Sequence, residues 1–186
     1  MSLMASNIHS TIGEFQRNYI YKLFIETVPV YVQTKFPQAS SFQGNVDLYN
    51  SKAIFPDRKT SKIKIDWCGE FFNIPGTDES TRETDFEFYE DEPMWVRDFF
   101  EACKDITGNE INQASVYSTQ AKFNIGIAQI SVDKETIRAY RRLVGVRVYG
   151  TDVGDISKDG KDVNKLKVNI SWDRSEEDRD KRGQKV

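Results

Sequence analysis

The feature that most constrains this chain is a change of hydrophobic period inside residues 84–108, TDFEFYEDEPMWVRDFFEACKDITG. Phe86 and Phe88 alternate with Asp85 and Glu87, the pattern of a half-buried strand with one apolar and one wet face. From there the period lengthens. Trp95, Val96, Phe99, Phe100, Cys103 and Ile106 are separated by steps of three and four, which put one broad apolar stripe on a helix. Asp91 and Glu92 place negative charge at the helix start, where unpaired N–H groups favour it, and Pro93 suits the first turn. Lys104 falls in the last turn, and Gly108 can take the left-handed conformation that closes a helix. Each buried aromatic contributes about 1.5–3 kcal/mol, so this stripe is expected to anchor a small β domain.

The rest of the chain reads mostly as strands. Residues 1–17 are a polar lead-in with few apolar positions, an arm awaiting a partner. Residues 18–32, NYIYKLFIETVPVYV, are rich in the aromatic and branched residues that strands prefer, with Pro29 marking an edge or bend. Residues 33–61 contain Pro37, Gly44 and Pro56 with only a brief apolar pulse at Val46 and Leu48, and predict a long loop. Lys52, Arg58, Lys59, Lys62 and Lys64 cluster there and just beyond it. Residues 62–67 alternate as a strand, residues 70–74 form a second, and Pro75-Gly76 is expected to end it. After the helix, residues 109–118 are a polar connector. Phe123, Ile125 and Ile127 then share one strand face, and a longer run through Leu143, Val144, Val146 and Val148 ends at Gly150. Asp159-Gly160 is a tight-hairpin pair, and Leu166, Val168, Ile170 and Trp172 alternate inward. Residues 173–186 hold five acids, five bases, no aromatic and one apolar residue, and predict disorder unless a partner orders them. The expected architecture is mainly β: a sandwich or barrel of two antiparallel sheets with one flanking helix, spanning residues 18–172, between the arm and the charged tail.

None of the chemical motifs that the sequence suggests is complete. A nucleophilic triad needs a histidine base, and the single histidine, His9, lies in the lead-in. One histidine with Cys68 and Cys103 assembles no zinc ligand set. Cys103 sits on the helix stripe as a small core residue. Gly145 and Gly150 have phosphate-loop spacing, but Thr151 and Asp152 stand where lysine and serine or threonine belong. Asp155, Ser157, Asp159 and Gly160 imitate a calcium loop whose twelfth position is Leu166 rather than glutamate. A net charge of −3 offers no basic field for sequence-independent DNA binding. No apolar run approaches the roughly 18 residues of a membrane helix, and the start, MSLMASNIHS, carries no secretory signal. No catalytic residue, metal or cofactor is expected. Carboxylates are plentiful, which leaves a small carboxylate-dependent β-sandwich enzyme as the alternative to a structural protein.

Several of these segments together resemble the tail-tube proteins of contractile-tailed bacteriophages, a tube family shared with related contractile injection systems. The strand, acid-rich turn and helix of DFEFYEDEPMWVRDFFEACKDITGN is one such element. VGVRVYGTDVGDIS and VNKLKVNISW are another, with a last-hairpin corner at Val148, Tyr149, Thr151, Val153, Gly154 and Ile156. NYIYKLFIETVP resembles the family's first strand, IDWCGEFFNIPG its second hairpin and IHSTIGEFQRN its N-terminal arm. The resemblance implies hexameric rings that stack into a hollow tube, with sheets joined around the lumen and DNA passing through without specific binding. It implies a virion structural protein assembled in the host cytoplasm. Its partners would be copies of itself, the sheath protein, the baseplate or tube initiator, the tail terminator and the tape-measure protein. A tube-initiating baseplate protein or a secretion-system inner tube would share the architecture. Lys52, Arg58, Lys59 and Lys62 are then the expected inter-ring contacts. The long loop at 33–61 and the charged tail depart from the family pattern.

Overall fold

The structure is a computed structural model that describes residues 20–56, 59–68, 70–90, 92–107, 121–153 and 163–186. The arm at 1–17, His9, Arg58, Asp91, Gly108, the connector at 109–118, Gly154, the calcium-loop mimic at 155–160 and Ile156 lie outside the described residues. In chain order the elements are β1 (Tyr21–Thr27), α1 (Val30–Lys35), α2 (Ala39–Tyr49), β2 (Asn50–Lys52), β3 (Thr60–Trp67), β4 (Glu70–Asp78), β5 (Glu83–Tyr89), α3 (Trp95–Thr107), β6 (Phe123–Ile130), β7 (Ile137–Val153), β8 (Lys165–Ser171) and β9 (Arg174–Glu177).

The protein is mainly β, a sandwich of two antiparallel sheets. One sheet runs β1-β6-β7-β9 and the other β7-β8-β5-β2, so β7 belongs to both. Its first half pairs with β6, and its second half, from Arg147, pairs with β8. The turn between the halves is Gly145, whose φ of 71° lies in the left-handed region that glycine enters freely. A Cβ there would also sit 2.2 Å from Asp173 Oδ2, where β8 passes into β9. The two strands therefore bend together.

Among the described residues the larger of two apolar clusters lies between the sheets and the helices, and the smaller one (Ile20, Ala128, Ile130, Ile137 and Tyr140) lies on the other face of β6. Leu23 and Ile25 of β1, Phe123, Ile125 and Ile127 of β6, and Leu166, Val168 and Ile170 of β8 all point into the larger, with Trp172 beside them. Helix α3 closes the open side. Val96, Phe99, Phe100, Cys103 and Ile106 are buried, and Trp95 packs against them half-buried. Helix α3 begins later than its charge pattern suggests. Pro93 sits in the preceding turn, and Met94, exposed and with φ 58°, accepts the first helical bond from the Asp98 N–H.

Two helices occupy the stretch expected to be a loop, and residues 30–32 are helical rather than extended. The physical reason is burial. Phe36, Ala39, Phe42 and Val46 fall at helical spacing and are all buried. Phe42 meets Phe99 at 4.6 Å between ring centroids and Phe100 at 6.0 Å, while Phe36 meets Phe99 edge-on at 6.3 Å. Tertiary packing of this kind overrides the weak helix propensity of Ser40, Ser41, Gly44 and Asn45. The sandwich is thus flanked by three helices among the described residues rather than by one.

Two further expectations change. Strand β4 does not end at Pro75-Gly76 but runs on to Asp78 through a register shift opposite Thr60 and Lys62. Residues 174–177 form β9 on the edge of β7, where backbone hydrogen bonding needs no apolar side chain.

Phe99→Ala should cost about 3–5 kcal/mol in urea unfolding, because its ring touches Phe36, Phe42 and Phe100 at once. Gly145→Ala should lower stability by at least about 1–2 kcal/mol through the left-handed backbone alone. A Gly145→Ala chain that melts like the parent would place the bend elsewhere.

Candidate functional site

Two parts of the surface stand out, a hairpin and the sheet edges. Strands β3 and β4 form a two-stranded sheet that joins neither sheet of the sandwich. Its register places Ile63 opposite Ile74, Ile65 opposite Phe72 and Trp67 opposite Glu70. Because side chains alternate along a strand, Ile63, Ile65, Trp67, Phe72 and Ile74 share one face. They are exposed by 53%, 40%, 69%, 53% and 46%. The other face is wetter: Lys64 Nζ lies 3.8 Å over the Phe71 ring and 3.6 Å from Asp66. The hairpin base is fixed by Glu79 N–H donating to Lys59 C=O (2.9 Å) and by Ser61 Oγ donating to Thr77 C=O (3.1 Å). A lone hairpin is marginally stable in water, and a contiguous apolar face of this kind marks an interaction site.

The edges are treated unequally. The outer edge of β1 is capped by α2: Leu23 N–H donates to Asp47 Oδ1 (2.8 Å), and Gln43 Nε2 donates to Ile25 C=O (2.8 Å) and Glu26 C=O (3.0 Å). Such capping prevents another chain from adding a strand there. At the opposite end of the assembly of strands, β2 pairs only with Phe88 and Glu87 of β5. Residues 83–86 of β5 are thus open on that side among the described residues.

The outer face of the first sheet carries a small polar centre. Gly126 leaves room for the Tyr140 ring, since a Cβ there would lie 1.9 Å from the Tyr140 hydroxyl oxygen. Tyr140 Oη donates to Glu26 Oε1 at 2.8 Å, and Arg142 pairs with the same carboxylate. Burial and then the Glu26 bond push the Tyr140 phenol above its ordinary range, so it stays a neutral donor.

The residues singled out by sequence are dispersed. Lys52 lies on β2 in an ion pair with Glu87 (3.1 Å), whereas Lys59 precedes β3 and Lys62 lies on it. Thr151 and Val153 pair with Val168 and Leu166 at the end of β7, and Tyr149 is exposed. The alternation of Ile63, Ile65 and Trp67 marks a strand in the sequence, and the structure leaves its apolar face exposed.

Among the described residues no group of three histidine, cysteine or acidic side chains could hold a metal ion. The Cys103 thiol is pushed up by burial and is inert. Of the acids beside the cleft between α1 and α3, Asp105 pairs with Lys35 (2.8 Å) and Glu101 with Arg97 (2.8 Å). No described helix is long and apolar enough to cross a membrane.

No protein-family model matches the chain, and no curated protein matches it by sequence. Solved structures match it in shape. The anti-feeding prophage cap, a tube-terminating cap, superposes with a TM-score of 0.60 at 13% identity, covering 96% of this chain and 99% of that one. A sheath/tube terminator of the extracellular contractile injection system PVC gives 0.53 at 12%, covering 90% and 99%. A chain of the anti-feeding prophage baseplate gives 0.53 at 9%, covering 89% and 96%. The fold is therefore the one used by tube-associated components of contractile injection systems.

Because Ile65 and Trp67 are exposed, Ile65→Lys combined with Trp67→Lys should change the stability of the isolated subunit by no more than a surface substitution does, about 0.5 kcal/mol. Binding of a fluorescent apolar dye should fall. Loss of cooperative melting would mean that the hairpin face is part of the core.

Proposed function

We propose that this protein is a structural subunit of a contractile-system tube, whose six copies form a ring that meets other rings through the β3–β4 hairpin. The single observation that carries this reading is the unpacked apolar face of Ile63, Ile65, Trp67, Phe72 and Ile74 on the fold of tube-associated proteins. Burying it against a neighbour would contribute on the order of 1 kcal/mol or more per side chain, repeated around the ring. Charges add less. Lys59 and Lys62 at the hairpin base would supply surface ion pairs of about 0–1 kcal/mol each.

The open stretch of β5 supports edge-to-edge pairing of sheets around a lumen. The net charge of −3 supports passage of DNA without sticking. On this reading the chain is a non-catalytic virion or injection-particle component, assembled in the cytoplasm. Its partners are copies of itself, the sheath, the baseplate or initiator, the terminator and the tape-measure protein. A second reading, a tube terminator, is favoured by the match to a tube-terminating cap over nearly the whole of both chains.

Negative-stain electron microscopy beside a sizing column tests the proposal. Rings are expected, and filaments separate a tube subunit from a terminator, which gives rings that do not extend. Ile65→Lys with Trp67→Lys should leave rings but abolish stacking on another ring. Lys59→Glu with Lys62→Glu should weaken stacking mainly at low salt. A discrete monomer at every concentration would overturn the reading and favour the enzyme alternative.

A further inference from the structure

Past β9 the chain leaves the edge of β7 for one turn and then returns to it. Asp178 N–H donates to Tyr140 C=O (3.1 Å) before the turn. After it, Gly183 N–H donates to Ile137 C=O (2.8 Å) and Val186 N–H to Glu135 C=O (2.9 Å). The turn is built within the segment. Gln184 N–H donates to Lys181 C=O (3.2 Å), Gln184 Nε2 donates to Asp180 C=O (2.8 Å), and Gly183 completes the turn with φ 84°. Backbone bonds to a strand edge are open to almost any sequence, so they leave unexplained why this segment lies here.

One side chain supplies the reason. Among residues 179–186 Lys181 alone is half-buried, and the others are exposed. The Lys181 side chain is 37% exposed, against 58% for Arg182 and 84% for Lys185. Its Nζ lies 3.9 Å over the Tyr140 ring and 3.7 Å from Glu26 Oε1. The sandwich itself holds the receiving groups. Gly126 leaves room for the Tyr140 ring, Tyr140 Oη donates to Glu26 Oε1 (2.8 Å), and Arg142 pairs with Glu26 Oε2. Phe24, Ile137 and Tyr140 line a cleft of about 270 Å3 together with Lys181. The lysine stem therefore has an apolar wall, and its ammonium has an aromatic face and a carboxylate.

We infer that Glu26, Tyr140, Phe24 and Ile137 form a lysine-binding site on the outer face of the first sheet, whose ligand is the chain's own Lys181, and that this side chain keys residues 178–186 to the edge of β7. With Lys181 seated, the segment covers that edge. A neutral side chain at 181 leaves it to the backbone bonds, which open at the low end of a protein's local stability and bare the edge to another strand.

Two measurements test the site. In the wild-type chain, acetic anhydride should acylate Lys181 at least about fivefold more slowly than Lys185, as peptide mass spectrometry reads it, and the difference should vanish in urea. Equal rates in the folded chain overturn the site. Lys181→Met keeps the stem and removes the charge. Hydrogen exchange at the amides of Asp178, Gly183 and Val186 should then quicken at least about fivefold, with the β6–β7 ladder unchanged. Lys185→Met, which removes the exposed lysine, should change the same amides by less than about twofold. Unchanged exchange in Lys181→Met, an equal effect of Lys185→Met, or a ladder that quickens as much as the segment overturns Lys181 as the key. If Lys181→Met does not fold, the acylation ratio of the wild-type chain still decides whether the site holds its lysine.

Discussion

One strand serving two sheets is the constraint on which the sandwich depends. Strand β7 must leave the plane it shares with β6 and enter the plane it shares with β8. A continuous ladder resists such a change, since every residue is held to the pleat of its neighbours. The strain is relieved at Gly145, where a positive φ and the absence of a Cβ let Asp173 come close. The same corner breaks β8 from β9 at Trp172, whose side chain is buried. Bend, break and burial are therefore one local event, and the core between the sheets exists because of it.

Helix α3 follows from that geometry. Two sheets diverging from a shared strand leave an open side, and only a wide apolar surface can fill it. The ring cluster of Phe42, Phe88, Phe99 and Phe100, with centroids 4.6 to 6.0 Å apart, does so. Residues of α2 complete the cluster from one face and cap β1 from the other through Gln43 and Asp47. One short helix thus buries aromatic area and disables a sheet edge.

Much of this was legible in the sequence, for reasons that also explain what was not. The stripe of α3 and the alternation of β8 are strong because each buries one whole face against the core, so pattern and burial coincide. Helix α2 has no such redundancy. Its buried positions are Ala39, Phe42 and Val46, diluted by serine, glycine and asparagine, and the helix forms because Phe42 has Phe99 to meet. Residues 174–186 hide in a different way. Their order comes from backbone groups offered by β7, and no side-chain pattern records where a strand edge lies. The Pro75-Gly76 pair read as a terminus, yet a two-stranded hairpin leaves each strand one free side on which a proline forfeits no bond.

The surfaces available for assembly differ in kind, and the difference matters for how rings would form. Apolar burial is strong but non-directional, so the face of Ile63, Ile65, Trp67, Phe72 and Ile74 can hold a neighbour without fixing its register. Hydrogen-bonded edges contribute less net energy but admit only matched registers. A closed ring needs a fixed rotation between neighbours, whereas contact along a stack tolerates a broader surface. The arrangement follows that division. Among the described residues, edges are capped at β1, covered by β9 at β7 and open along residues 83–86 of β5. The greasy face is set apart on an exposed hairpin whose base is held by Glu79 and Ser61, where a neighbour can reach it without disturbing the sandwich.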